Sequence, residues 1–101
     1  MEISLNQEAE DFIGSLEKIT IAKVLRTIDL LEKFGHNLGL PHSRALGNGL
    51  FELRVRGQQE VRIFYTFHNQ ATLLLHGFIK KSRRTPSQEI RNARGKINNL
   101  T

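Results

Sequence analysis

From Leu50 to Lys80 the chain alternates apolar and polar residues at period two, as half-buried strands do. The alternation predicts three strands. Leu50–Arg56 turns at Gly57-Gln58-Gln59, Glu60–His68 turns at His68-Asn69-Gln70, and Thr72–Lys80 follows. Turns this short make an antiparallel meander. One face should carry Phe51, Leu53, Val55, Val61, Ile63, Tyr65, Phe67, Leu73, Leu75 and Ile79. The other should carry Glu52, Arg54, Arg56, Arg62, Phe64, Thr66, His68, Leu74, His76, Phe78 and Lys80.

Ahead of the meander the period changes. Met1–Leu5 alternates and reads as a short edge strand. Asn6 is placed to cap a helix whose apolar face is Ala9, Phe12, Ile13 and Leu16, with Gly14 weakening its middle. Thr20 is placed to cap a second helix, with the stripe Ile21, Val24, Leu25, Ile28, Leu31 and Phe34 and a C-cap at Gly35. The short link between them predicts an antiparallel helical hairpin packed on the first sheet face. His36–Gly49 reads as a loop that lies across the sheet and delivers Leu40 and Leu46 to the core. After the meander, Thr85, Pro86 and Gln88 read as a capping box opening a short helix. Its stripe is Ile90, Ala93 and Ile97, and Gly95 and the polar end predict fraying. The expectation is one α+β domain, residues 1–101, of N-terminal strand, helical hairpin, antiparallel meander and C-terminal helix.

Composition narrows the chemistry. No apolar run is long enough for a membrane span, and the acidic N-terminus lacks the pattern of a signal peptide. Cys is absent, which removes disulfides and thiolate metal sites and fits a cytoplasmic location. The net charge of +5 is segregated. Residues 1–41 hold four Lys/Arg and seven Asp/Glu, whereas residues 42–101 hold eleven and three. Segregation of this kind predicts one anion-facing side, with RNA as its natural partner.

The outer sheet face is where chemistry would sit. Cations beside Phe64 and Phe78 suit a nucleotide, with charge for phosphate and rings for base stacking. RNA brings its own nucleophile, the 2′-hydroxyl, so cleavage needs a base, cations for the charge developing at phosphorus, and an acid for the leaving 5′-oxygen. Glu52 or a basic residue of lowered pKa is the candidate base, Arg54 and Arg62 the phosphate clamp, and His76 or Lys80 the acid. Arg62 lies mid-strand, between Val61 and Ile63, with few acids nearby. Glu52 has the alternative of a cross-strand ion pair, His76 that of an ordinary strand histidine, and the two Phe that of packing under the C-terminal helix. Arg56, Lys81, Arg83 and Arg84 extend the basic set toward RNA binding. The four His have no metal-ligand spacing, so no metal or cofactor is expected. Ser43 and Ser82 lack a nucleophile elbow, and no Lys-Ser/Thr follows Gly47-Asn48-Gly49 as a phosphate loop requires.

The stretch LPHSRALGNGLFELRVRGQQEVRIFYTF, followed by LLLHGFIKKSRRTPSQEI, resembles the RelE/ParE superfamily of type II toxin–antitoxin toxins, and within it the phage-derived, HigB-type branch. The resemblance covers nearly the whole chain. It implies the RelE-like fold and a ribosome-dependent mRNA endonuclease that acts in the ribosomal A site without a metal. A cognate antitoxin, of helix-turn-helix type, would neutralise it, and operator DNA would be met only through that antitoxin. Arg54 and Arg62 match positions that bind the scissile phosphate, Glu52 the acid of the L-x-E-L-R strand, and Lys80 and Lys81 the basic pair ending the last strand. Several relatives place a Tyr or His near the chain end, and this tail has neither after Pro86, so Lys80, Lys81 or His76 stands in as the acid. The alternative within the superfamily is a ParE-like, non-enzymatic inhibitor of DNA gyrase.

Overall fold

A computed structural model describes residues 1–100. The chain runs β1 (Glu2–Leu5), α1 (Gln7–Gly14), α2 (Lys18–Phe34), a 3-10 turn (Gly35–Asn37), β2 (Ser43–Gly47), β3 (Leu50–Val55), β4 (Val61–His68), β5 (Ala71–Ile79) and α3 (Ser87–Asn98). The five strands form one sheet in the order β1-β5-β4-β3-β2. β1 lies parallel to β5 at one edge, and all other neighbours are antiparallel. No described helix is long and apolar enough to cross a membrane.

The meander has four strands where the alternation predicts three. Ser43–Gly47, read as loop, is β2, joined to β3 through Asn48 and Gly49. Both turn residues have positive φ, 53° and 82°, which is what a two-residue hairpin of matching twist requires. Leu40 is exposed rather than delivered to the core.

The helical hairpin covers one sheet face. Ala9, Ile13, Leu16, Val24, Ile28 and Leu31 pack on Leu53, Val55, Val61, Ile63, Tyr65 and Leu74. The Asn6 side chain caps α1 as expected, accepting from the Ala9 N–H at 2.8 Å while donating to the Leu75 carbonyl at 2.8 Å. Gly14 ends α1 instead of weakening its middle. α2 starts two residues before Thr20, which is buried in its first turn, and no side chain caps it. Its buried face is Thr20, Val24, Thr27, Ile28 and Leu31, so Leu25 and Phe34 fall outside it and stay exposed. Gly35 ends α2 at φ 51°, the conformation glycine tolerates.

β5 departs from simple alternation. Phe64 pairs with His76 but Tyr65 pairs with Leu74, so Leu75 is an extra residue on β5, a bulge. One inserted residue reverses the facing of everything before it. Leu74, not Leu73 or Leu75, therefore reaches the core against the hairpin. Tyr65 points into that core as its parity predicts, sharing a hydrogen bond with Ser43, and burial pushes its phenol pKa up.

α3 covers part of the opposite face. Leu50, Phe64, Phe78 and Ala93 form a second cluster, flanked by Leu46, Ile90 and Ile97. Polar ties fix the C-terminal half of α3. Arg94 donates to the carbonyls of Leu46 and Gly47 at 3.0 and 3.1 Å, and Lys96 pairs with Glu8 at 2.8 Å. The helix continues through Gly95 to Asn98 and does not fray where the glycine predicts. The expected capping box is absent: Pro86 takes the cap position and no side chain bonds there.

Candidate nucleic-acid interface

The uncovered part of the second sheet face is a basic depression. β2 supplies Arg44, β3 supplies Glu52 and Arg54, β4 supplies Arg62, and the segment after β5 supplies Lys80, Arg83, Arg84 and Thr85. Its volume is about 330 Å³. A neighbouring depression of about 580 Å³ shares Arg54, Arg62, Lys80 and Arg83, and adds Arg56, Glu60 and Lys81. Together they gather eight Lys/Arg against two carboxylates, a local excess that no folding requirement explains.

Register explains how the charges meet. Arg54 stands directly opposite Arg62, and Glu52 stands opposite Arg44 on one side and Phe64 on the other. Glu52, only 2 % exposed, is the charge that lets the two guanidiniums coexist. Its Oε1 lies 3.8 Å from Arg62 Nε and 3.9 Å from Arg54 Nε, and its Oε2 accepts from Thr85 Oγ1 at 2.9 Å. The ion-pair alternative for Glu52 is thus present in the structure. Thr85, expected to cap α3, instead ties the α3 approach to this carboxylate.

The two arginines are not equivalent. Arg62 is 3 % exposed, and its NH1 donates to Glu60 Oε2 at 3.3 Å and to the Val61 carbonyl at 3.1 Å. The scarcity of acids expected around it does not hold, because pairing brings Glu52 in and Glu60 folds back. The Arg54 side chain is 20 % exposed and makes no hydrogen bond among the described residues. Burial lowers its pKa first, followed by the charges of Arg62 and Arg56. A bound anion would relieve that crowding. The Nε groups of Arg54 and Arg62 are both buried and, among the described residues, have no hydrogen-bond partner, Glu52 Oε1 lying beyond that reach at 3.9 and 3.8 Å.

Lys80 turns its ammonium onto the Ser82 and Arg83 carbonyls at 2.6 and 2.7 Å, folding the loop that presents Arg83 and Arg84. Lys81, Arg83, Arg84 and Arg56 are exposed. Three expected site residues are elsewhere. Phe64 and Phe78 are 0 % and 8 % exposed beneath α3, so their rings serve packing and offer no stacking face. His76 lies on the rung of Phe64, and both ring nitrogens are held by carboxylates, Glu8 from α1 and Glu89 from α3. It joins two helices to the sheet and lines neither depression.

Arg44, Glu60 and Thr85 are the contributors that alternation did not find. The Asn-Gly pair at 48–49 between two short apolar stretches carried the signal for β2, and with β2 comes Arg44. Thr85 and Glu60 carried no signal, since their roles depend on where loops close.

Comparison with known proteins agrees with this architecture. The model of the family described as "Phage derived protein Gp49-like" matches residues 11–98. No curated protein matches the sequence significantly. Among solved structures, a chain of the heterotetrameric YoeB–YefM toxin–antitoxin complex of Staphylococcus aureus superposes with a TM-score of 0.58 at 15 % identity, over 81 % of this chain and 97 % of that one. The YoeB/ParE toxin from Agrobacterium tumefaciens superposes at 0.58 and 13 % identity, over 80 % and 100 %. A chain of the archaeal RelE–RelB complex from Pyrococcus horikoshii gives 0.53 and 18 %, over 83 % and 97 %. With the family match spanning most of its length and its strands and helices in the RelE/YoeB arrangement, the chain belongs to the phage-derived Gp49-like family and has the fold of the RelE/ParE superfamily.

Proposed function

We propose that this protein is the toxin of a type II toxin–antitoxin pair and that it cleaves mRNA on the ribosome. The observation that carries the reading is the basic depression itself, with eight cations around two carboxylates and an Arg54 guanidinium left without a hydrogen-bond partner. A guanidinium fork matches a phosphate in geometry and charge. In this reading Arg54 grips the scissile phosphate. Arg62, held in place by Glu52 and Glu60, stabilises the charge that develops on it. Attack by the RNA 2′-oxygen on the adjacent phosphorus forms the new P–O bond as the bond to the 5′-oxygen breaks, giving a cyclic phosphate. No metal takes part.

Glu52 is closed in by Thr85 and two guanidiniums, so it serves as an anchor. Glu60, with its side chain 39 % exposed, is the carboxylate that can take the 2′ proton. Lys80 has one N–H left after its two carbonyl bonds and supplies the proton to the leaving oxygen. Alignment of the mRNA comes from the ribosome, and such positioning is worth about 7–11 kcal/mol in favourable cases. The YoeB and RelE structures are complexes with YefM and RelB. We assign this chain a cognate antitoxin in the same way, one whose acidic segment covers the depression.

Brief induction of the chain in cells lacking an antitoxin, with pulse labelling of protein and DNA synthesis, tests the proposal. Protein synthesis should stop first. Arrest of DNA synthesis ahead of translation would instead assign the chain to gyrase inhibition.

A further inference from the structure

The basic surface does not end at the depression. On the far side of Arg54 and Arg56, between β3 and α2, runs a second groove of about 330 Å³. Lys23 and Arg26 of α2, His42, Arg54 and Arg56 line it, over an apolar floor that includes Leu30, Pro41 and Val55. No carboxylate among the described residues lines it. Lys23 and Arg26 are three residues apart on α2 and so share a face. The Lys23 ammonium fills the space beside Gly57, at the turn between β3 and β4, that a Cβ there would enter. Among the described residues, Lys23, Arg26 and Arg56 take part in no ion pair.

That placement runs against the composition of the helical half. Residues 1–41 carry a net −3, and α2 has Asp29 and Glu32 available. Neither lines the groove, so the helix turns cations alone toward Arg54 and Arg56. Like charges brought together across two packed elements repel unless an anion lies between them. We propose that this groove is a second subsite for the sugar–phosphate backbone of single-stranded RNA, taking the nucleotides that flank those in the depression. Arg54 and Arg56 border both spaces, so a strand leaving the depression passes directly onto Lys23 and Arg26. The apolar floor gives a ribose or base a dry surface. This inference rests on the RNA reading of the depression and extends it to a longer footprint.

The test compares wild type with the Lys23→Ala/Arg26→Ala double variant, both positions exposed and outside the core. The probes are 2′-O-methyl RNA oligonucleotides of about 3 and about 12 nucleotides, which cannot be cleaved, and a poly-glutamate peptide of matching charge, each followed by amide NMR titration. The variant should bind the short RNA like wild type and the long RNA about tenfold more weakly, with a salt slope smaller by about 1.4 for two lost phosphate contacts. Shifts along α2 should appear only with the long RNA. Equal long-RNA binding by variant and wild type would overturn the subsite and leave the depression's RNA role standing. A loss seen with poly-glutamate and not with RNA would also overturn it, assigning the groove to an acidic protein segment. Failure of wild type to bind either RNA would remove the RNA reading of the depression, and this inference with it.

Discussion

At the scale of single residues, Glu52 has the largest consequence for stability. It is buried between Arg54 and Arg62, and removing its charge leaves a buried guanidinium with only Glu60 beside it. Glu52→Gln should cost about 3 kcal/mol, near the lower end for a broken buried pair because Glu60 remains, measured by urea unfolding. A surface-like loss below about 0.5 kcal/mol would show that Glu52 does not hold the arginines. Glu8 gives a pH signature. Its carboxylate pKa is held below 4.5, by Lys96 first and by His76 to a smaller degree. A depressed acid stabilises the fold above its unfolded pKa, and that contribution disappears as pH falls through the folded value. The melting temperatures of wild type and Glu8→Gln should therefore differ near neutral pH and converge as pH falls through that folded value. Divergence on acidification would contradict the pairing. His76→Ala should loosen α1 and α3 while leaving RNA cleavage within about threefold, since the ring lies outside the depression; the limit is well short of the loss typical of a removed acid or base.

Elements set which faces these residues show. Gly77 on β5 lies under the Phe12 ring of α1 so closely that an added Cβ would overlap it. Gly77→Ala should destabilise the protein by about 1–3 kcal/mol through overpacking, read from its denaturation midpoint. α3 closes over Phe64 and Phe78 with Ala93 fully buried at the contact. Ala93→Asp would bury an unpaired charge there, so it should release α3 and raise hydrogen exchange across residues 87–98 while the α1–α2 core keeps its protection. Uniform protection in that variant would mean that α3 is not a separable cover. Much of this level is legible from period alone: β1, the Asn6 cap, both inner faces of β3 and β4, and the α3 stripe follow from spacing. What period missed has physical causes. The bulge at Leu75 inserts one residue, and strict alternation carries no mark of it. α2 buries Thr20 and Thr27, which count as polar, so a stripe drawn from apolar residues alone leans toward Leu25 and Phe34. Thr85 was read by local capping rules and was won by a buried carboxylate distant in sequence.

Across the whole molecule, the charge segregation seen in composition becomes geometry with one exception. The basic half does build the depression, but α2, from the acidic half, adds Lys23 and Arg26 to the groove on the other side of Arg54 and Arg56. The cations were readable in the sequence; their division of labour was not. The spacing leaves Arg62 with few acids, whereas the folded sheet gives Arg62 two carboxylates, Glu52 and Glu60, and leaves Arg54 only its share of Glu52. The proposed function turns on Arg54 gripping a scissile phosphate on translated mRNA. The most direct measurement is primer extension on a reporter mRNA in a purified translation system, with wild type, Arg54→Ala and Arg54→Lys. Wild type should cut within translated codons only when ribosomes are present. Arg54→Ala should lower cleavage by about 10²–10³-fold, as loss of a charge-stabilising donor does, and Arg54→Lys should recover a minor part of it. Cleavage by Arg54→Ala at the wild-type rate would remove Arg54 from the site, and intact mRNA with wild type would rule out the endonuclease.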